Sequence, residues 1–488
     1  GLTRGGVGRA GAGVAAGGRA REGAGAWGVM GHDARHGAAR CARDSTEVMA
    51  AAGLDVVLVE DPVPTPVIAF GVRHLGAAAG IVVTASHNPA ADNGYKVYDD
   101  SGSQIIPPSD LEISGLIEQA CATPPKDLAR SDDWRRAGPE LVDAYCAAAV
   151  SLASPQAGGS PDAELRWVHT AMHGVGAELV TRVSAEAGFP EPIEVPEQAA
   201  PDPDFPTLPF PNPEEPGAMD LAMALARGTG ADLAIATDPD ADRCAVAIPG
   251  PTGWRRLTGD ELGSVLADDA VRRGAPGVLA RSVVSGSQID SIAAAASRNL
   301  VTTPTGFKWI GRVPELAFGY EEAIGYCCDP AHVADKDGIS ATVAVLRTAT
   351  ALKAEGRTLG DRLDEIDRAH GVHLTSQVAW RVDDHERISA AMALLRSQPR
   401  TTLGGVPVSR RDLLVAAGTM PAIDALEFSR PGVRVFVRPS GTEPKLKCYL
   451  EIIADPSHDG GDLEICRARA SQAMSALRAE VATLVDLS

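Results

Sequence analysis

The stretch "ADLAIATDPDADR", residues 231–243, runs an apolar segment straight into a turn that carries carboxylates at alternate positions. A strand that is apolar on both faces belongs to a covered, mainly parallel sheet, and such sheets gather ligands beyond the carboxyl ends of their strands. The same rhythm recurs on either side. "TEVMAAAGL" (46–54) reads as a helix, "DVVLVE" (55–60) as a strand, "TPVIAFGVRHLG" (65–76) as a helix with a Thr-Pro start and a Gly stop, and "AGIVVTAS" (79–86) as the next strand. A helical stretch near 136–152 precedes a restart, with "LRWVHTAMHGVG" (165–176) a strand into a glycine loop and "GAELVTRVSAEAG" (176–188) a helix. A third round follows in "GVLARSVVSGSQ" (277–288), the helix "IDSIAAAASRN" (289–299) and "LVTTPTGFKWIGR" (300–312).

The last hundred residues differ. "VRVFVRPSGTEPKLKCYLEII" (433–453) is two alternating strands joined by a Pro/Ser/Gly turn, and "LEICRARASQAMSALRAEVATL" (463–484) is a helix, together an antiparallel α+β unit. We therefore expect four domains, three α/β and one α+β, over residues 1–152, 153–257, 258–372 and 373–488. Ten prolines between residues 189 and 217 exclude regular helix and predict an extended, rigid surface loop. Eighteen of the first thirty residues are Gly or Ala, a composition that predicts a flexible or poorly packed segment. Since the chain opens at Gly1 and not at Met, a truncated or altered start is also expected.

Four loops carry the chemistry. Asp238, Asp240 and Asp242 alternate in a short turn that Pro239 stiffens, a spacing that can fold round one hard cation such as Mg²⁺. A Ca²⁺-binding EF-hand is excluded, because its sixth-position glycine would be Arg243 and its twelfth-position glutamate Pro249. An acidic surface turn is the plainer alternative, yet three mutually repelling carboxylates give such a turn no advantage. Arg243 beside them can pair with a phosphate or a carboxylate. Ser86, in "TASHNP" (84–89), is a weak nucleophile unless activated. His87 is a candidate base, but adjacent side chains on an extended segment point apart, and no Gly-x-Ser-x-Gly elbow is present. A better fit has Ser86 carrying a phosphoryl group, with Lys96 on "GYKVY" (94–98) as charge partner or acid/base; taken alone, Ser86 reads as a turn or capping serine. Glu321 and Glu322 in "FGYEEAIGY" (318–326) suit sugar hydroxyls, or simply an acidic helix start, and Lys308 and Lys336 lie nearby in sequence. Arg438, Ser440, Gly441 and Thr442 in "RPSGTEPKLK" (438–447) combine a guanidinium fork with backbone and hydroxyl donors, an anion nest at what is otherwise a hairpin turn.

The formal charge of −19, from 64 acidic and 45 basic residues, disfavours nucleic acid and anionic membranes as partners. Aromatics are only 4%, so the cores must be built from Ala, Val, Leu and Ile. The eight cysteines form no Cys-x-x-Cys pair, which disfavours zinc and predicts reduced thiols in a cytoplasmic protein. No apolar run approaches the ~20 residues a membrane span needs.

Ser-His-Asn-Pro, Asp-Pro-Asp-Ala-Asp-Arg, the Glu-Glu loop and Arg-Pro-Ser-Gly-Thr, in this chain order, resemble the α-D-phosphohexomutase superfamily over residues 31–488. "DNGYKVY", "TGFKWIG" and "YEEAIGY" resemble its bacterial phosphoglucomutase/phosphomannomutase branch, related to phosphopentomutase-type enzymes. The resemblance implies three doubly wound α/β domains with mixed sheets and a C-terminal domain like the TATA-box-binding protein, around a central cleft. It implies a phosphoserine at Ser86, and Mg²⁺ held by Asp238, Asp240, Asp242 and a phosphoserine oxygen. Phosphate would move between O1 and O6 of mannose or glucose phosphate through a sugar 1,6-bisphosphate. Lys96 and Lys336 would handle protons, His87 and Arg243 would contact the moving phosphate, Glu321 would hold sugar hydroxyls, and Lys308 would bind substrate. Arg438, Ser440, Gly441 and Thr442 would grip the residual phosphate, with Arg4 in "GLTRG" (1–5) as a further phosphate contact. The enzyme would be a monomer or homodimer.

Two departures stand out. Ala323 occupies a position where the family commonly has Ser, which leaves a pentose phosphate open as substrate. The glycine-rich tract after Arg4 does not resemble the family's first strand and helix. The competing expectations are a phosphopentomutase, a non-catalytic phosphosugar-binding protein and a metal-dependent phosphatase.

Overall fold

The computed structural model describes residues 10, 11, 13, 27–153, 165–382, 385–398, 401–415, 420–440 and 445–483. Arg4, Gly441, Thr442 and most of the Gly/Ala tract lie outside them. The chain forms two compact units, Gly1–Ala280 with Gly306–Gly360, and Arg281–Thr305 with Asp361–Ser488.

The first unit holds two mixed sheets of five strands. In the first, β1 (Trp27–His32), β2 (Asp55–Leu58), β3 (Ala79–Val83), β4 (Tyr95–Asp99) and β5 (Arg135–Arg136) take the order β4-β3-β1-β2-β5. Four of these strands run parallel, and β4 pairs antiparallel with β3. Helices α1 (Ala38–Ala51) and α2 (Thr65–Leu75) connect the parallel strands, and α3 (Ser109–Ala120) and α4 (Glu140–Ser151) follow β4. α2 begins with Pro66 in its first turn, where a missing N–H costs nothing, and stops at Gly76, whose φ of 61° closes the helix without a Cβ penalty. Met30, Met49, Leu58, Ile81 and Val83 meet between sheet and helices, each contributing about 1.5–3 kcal/mol by burial.

Trp27–Met30 correct the expectation for the first thirty residues: they form most of β1, at the centre of the sheet. Only three of β1's six residues are large apolar side chains, so the run is too glycine-rich to stand out. Gly31 is there because a Cβ would fall 2.6 Å from Ile68 Cδ1.

The second sheet orders β6 (Trp167–Thr170), β7 (Ile193–Glu194), β8 (Leu233–Thr237), β9 (Cys244–Gly250) and β10 (Gly253–Arg256) as β10-β9-β8-β6-β7. α5 (Ala177–Glu186) and α6 (Asp220–Thr229) join its parallel strands. The proline-rich segment also differs from expectation. It is not a plain surface loop, since Gln198, Phe205, Leu208 and Asn212 are buried. Gln198 accepts from Thr170 Oγ1 at 2.6 Å and donates to Thr207 Oγ1 at 2.9 Å, fastening the segment to the end of β6.

Downstream, α7 (Gly259–Arg272) starts at a capping box made by Thr258 and Glu261. After it come β11 (Val278–Ser282) and β12 (Leu300–Thr303), then β13 (Leu316–Glu321) and β14 (Gly325–Cys327), which pair antiparallel, and α8 (Gly338–Ala354). The division between the compact units falls within this third α/β segment.

The second unit contains an antiparallel sheet. β15 (Val372–Arg381) leads into α9 (His385–Ser397), and a short hairpin of β16 (Thr402–Leu403) and β17 (Val406–Pro407) follows. β18 (Ser409–Asp412), β19 (Leu426–Arg430), β20 (Val433–Pro439) and β21 (Lys445–Ala454) then complete the order β15-β21-β20-β19-β18, and α10 (Leu463–Ala482) packs against β21 and β15. Val283 and Val284 pack in a small core with Leu413, Ala425, Phe436 and Tyr449. Among the described residues no helix is long and apolar enough to cross a membrane.

Candidate active site

Inside the first unit, the loop after β8 brings Asp238, Asp240 and Asp242 together, all fully buried, with one carboxylate oxygen of each within 4.8 Å of the others. Alternation alone would not do this. Ala241 takes φ 54°, turning the chain so that residues on both sides of it converge. Two close approaches hold the loop. A Cβ on Gly174 would sit 2.3 Å from Pro239 Cα, and one on Gly338 would sit 2.3 Å from Arg243 O, so both neighbours must be glycine.

Three cations face the three carboxylates. Lys96, on β4, reaches Asp240 Oδ2 at 2.6 Å and Asp242 Oδ2 at 2.5 Å. Lys336 lies 3.0 Å from Asp242 Oδ2, and Arg243 Nε 3.7 and 3.9 Å from Asp242 and Asp238. Burial, reinforced by Asp240 and Asp242, pushes the Asp238 carboxyl well above the usual carboxylate range. Burial acts the same way on Asp240 and Asp242 but is outweighed, by Lys96 at Asp240 and by Lys336 and Lys96 at Asp242, so both are held low. Burial would also neutralise Lys96, yet Asp240 and Asp242 raise it, keeping the ammonium charged.

Ser86 lies in the turn after β3 at φ 51°. Its Oγ donates to Asp238 Oδ2 at 2.8 Å, and its N–H donates to Thr84 Oγ1 at 2.8 Å. His87 Nδ1 is 3.2 Å from Ser86 Oγ, which corrects the expectation that the two side chains point apart. The segment is a turn, not extended chain. Burial, then the charge of Arg243, pushes the His87 imidazole down to about 3, so it is neutral.

Glu321, at the end of β13, is 8% exposed; a Cβ on Gly325 would touch both its Cγ and the Lys336 stem, so the three are packed together. Strand alternation sends Tyr320 the other way, to donate to Asp260 Oδ1 at 3.1 Å. Ala323 contributes its carbonyl, which accepts from Arg243 Nη1 at 2.8 Å. Lys308 is not brought to the aspartates; its Nζ lies 4.0 Å from Asp110 Oδ2 on α3. In the second unit, Arg438 stands opposite Lys447 across β20 and β21, and Ser440 N–H donates to Lys445 O at 2.8 Å.

Two side chains escaped the sequence reading. Thr65, read only as a helix start, donates its hydroxyl to Asp240 Oδ2 at 2.5 Å and its N–H to Asp240 O at 2.9 Å. Arg35, in "GHDARH" (31–36), grips the Ser86 loop through main-chain carbonyls. Neither belongs to a pattern that spacing could flag, because both act on residues far off in sequence.

A divalent cation fits the residues present. Asp240 Oδ1 and Asp242 Oδ1 are buried with no hydrogen-bond partner, which costs roughly 1–3 kcal/mol each unless something pairs them. Clustered carboxylate oxygens, with a serine oxygen alongside, are the donor set a hard ion such as Mg²⁺ takes.

Comparison with known proteins finds four family models matching in chain order. They are the phosphoglucomutase/phosphomannomutase alpha/beta/alpha domain I over residues 2–123, domain II over 143–251, domain III over 258–369, and the C-terminal domain over 381–457. A protein named "Probable phosphomannomutase" from Haemophilus influenzae is 43% identical over 430 residues, covering 87% of this chain and 87% of the relative. A "Probable phosphoribomutase" from Schizosaccharomyces pombe is 34% identical over 463 residues, covering 86% of this chain and 78% of the relative. The crystal structure of a phosphoglucomutase/phosphomannomutase family protein from Burkholderia thailandensis superposes with a TM-score of 0.72 at 20% identity, covering 97% of this chain and 94% of that one, a likeness of fold.

Proposed function

The chain belongs to the phosphoglucomutase/phosphomannomutase family and is an intramolecular phosphotransferase, and we propose that it moves phosphate between O1 and O6 of mannose or glucose phosphate through a phosphorylated Ser86. The observation that carries this reading is the 2.8 Å hydrogen bond from Ser86 Oγ to Asp238, inside a buried triplet of carboxylates.

The roles follow from charge and reach. As the phosphoserine P–Oγ bond breaks, a new P–O bond forms to the sugar hydroxyl, whose proton is replaced by one gained at the departing Ser86 oxygen. In the second half the other phosphate of the sugar 1,6-bisphosphate returns to Ser86, whose hydroxyl proton passes in exchange to the sugar oxygen it leaves. Such transfer needs positioning and neutralised charge more than covalent assistance. Mg²⁺ held by Asp238, Asp240, Asp242 and Ser86 would supply positive charge to the phosphoryl oxygens. Arg243 Nε, buried without a hydrogen-bond acceptor, suits a phosphoryl oxygen, and neutral His87 suits a contact beside Ser86. Lys96 and Lys336, held charged by the aspartates, serve as charge partners and proton donors, not as resting bases. Glu321 would accept from sugar hydroxyls. Arg438, Ser440, Gly441, Thr442 and Arg4 would bind the residual phosphate, with Lys308 as an outer contact. No two of the eight cysteines form a disulfide, which suits a reducing, cytoplasmic setting.

The test is intact-mass analysis after incubation with glucose 1,6-bisphosphate and Mg²⁺. One added phosphate on the wild type and none on Ser86→Ala is expected, with mutase activity of the variant down at least about 10³-fold. Equal activity in the variant sinks the nucleophile, and a wild type that takes up no phosphate favours a binding protein. A pentose reading rests on Ala323, whose side chain offers no hydroxyl. Coupled assays with mannose, glucose and ribose 1-phosphates decide it; a kcat/KM highest for ribose 1-phosphate overturns the hexose assignment.

A further inference from the structure

We propose that Arg35 is a positioning residue for this transfer: clamped between the ring of Phe205 and four main-chain carbonyls of the Ser86 loop, it sets where the Ser86 hydroxyl stands against Asp238. The inference rests on Ser86 being the phosphate carrier.

Arg35 is 4% exposed. Its Nη1 donates to the carbonyls of Pro89 at 2.8 Å and Asp92 at 3.3 Å, and its Nη2 to those of Ser86 at 2.8 Å and Asn88 at 2.5 Å. Nε lies 3.2 Å from Asp33 Oδ2, an ion pair without hydrogen-bond alignment, while Asp33 Oδ1 accepts from Arg35 N–H at 3.0 Å. A planar guanidinium can address several acceptors at once from a fixed geometry, and an ammonium cannot. One of those acceptors belongs to Ser86 itself, at φ 51°, and another to Asn88 two residues on, so the clamp holds a conformation that persists only where its surroundings over-determine it.

The other half of the clamp comes from the second α/β domain. The Phe205 ring, itself buried at φ 47°, lies 4.8 Å from the guanidinium carbon. The seam that Asp33 and Arg35 share with Phe205 and Pro239 is too tight for a water molecule. Pro239 separates Asp238 from Asp240, so the seam that seats Arg35 also touches the aspartate loop. The same segment adds an Asp204–His36 contact at 2.8 Å and places Phe210 6.2 Å from the His87 ring. The proline-rich segment thus ties the serine turn to the aspartate turn by rigid parts, which accounts for a conformationally stiff sequence there.

A purely structural anchor would change stability and leave rate alone, and the experiment separates the two. On the full chain, Arg35→Lys, Phe205→Leu and Phe205→Tyr are compared for Tm, kcat, KM and the rate of Ser86 phosphorylation by glucose 1,6-bisphosphate, read by intact mass. Arg35→Lys should lower kcat and the phosphorylation rate about 100-fold, the cost of a displacement on the order of 1 Å, with KM within about threefold of wild type. Phe205→Leu should cost about tenfold in both rates, and Phe205→Tyr, which keeps the aromatic face, should restore them. Wild-type rates in Arg35→Lys, or in Phe205→Leu should Arg35→Lys fail to fold, overturn the proposal even if Tm falls. A wild type that takes no phosphate at Ser86 overturns the proposed function instead.

Discussion

At the scale of single residues the site is a charge balance. Lys96, Lys336 and Arg243 face the three buried aspartates and hold Asp240 and Asp242 ionised, while burial favours the neutral form of Asp238, which a divalent ion would bring to its charged form. Ligand orientation then depends on neighbours such as Thr65. Thr65→Val, which keeps the shape and removes the hydroxyl, should weaken Mg²⁺ binding about 10–100-fold, measurable by calorimetric titration; unchanged affinity would show that Thr65 does not orient Asp240. Asp238, Asp240 and Asp242 were legible in the sequence because their spacing is local. Thr65 and Arg35 were not, since their partners lie 175 and 51 to 57 residues away.

At the scale of elements, strand ends aim the loops and helix starts brace them. α8 begins under the aspartate turn, where Gly338 N–H donates to Ala241 O at 3.1 Å and Asp337 caps the helix by accepting from Ile339 and Ser340 N–H. Gly338→Ala forces a Cβ onto the Arg243 carbonyl and should cost roughly 1–3 kcal/mol of stability together with activity. Thr258→Ala makes the contrast. Losing the α7 capping box should cost about 1 kcal/mol, lowering Tm without changing kcat. Thermal melts alongside mutase assays check both; an active, fully stable Gly338→Ala would refute the close-approach argument. Helix and strand identities were readable from apolar runs and Gly/Pro punctuation. β1 was not, because glycines that fit Ile68 and Met49 thin its apolar pattern.

At the scale of the molecule, the compact units do not follow the family-model borders: residues 281–305 fall within the domain III match yet belong to the second unit. Glu451 is the polar tie there. It accepts from Ser287 N–H at 2.6 Å, His373 Nδ1 lies 2.9 Å from it, and Arg434 Nε donates at 2.8 Å. Burial would raise its carboxyl, but the His373 hydrogen bond and the Arg434 charge win and hold it at about 2, against an ordinary value of 4.5. A depressed carboxylate stabilises the fold above its unfolded value and loses that contribution as pH falls. Glu451 should therefore add about 3 kcal/mol above pH 4.5, lost progressively toward pH 2. Urea unfolding between these pH values should steepen for the wild type and flatten for Glu451→Gln; equal slopes would count against the tie.

The sequence by itself determined the α/β rhythm, the antiparallel C-terminal sheet and the clustering of Asp238, Asp240 and Asp242, because each is written in neighbouring residues through side-chain period, turn residues and spacing. Only the tertiary structure decided that the Ser86 hydroxyl meets Asp238, that Lys96 reaches across from an antiparallel edge strand, that Lys308 turns to Asp110, and that a proline-rich segment packs against Arg35. Those contacts join segments tens to hundreds of residues apart, and their geometry follows from how whole sheets pack, which no local pattern encodes.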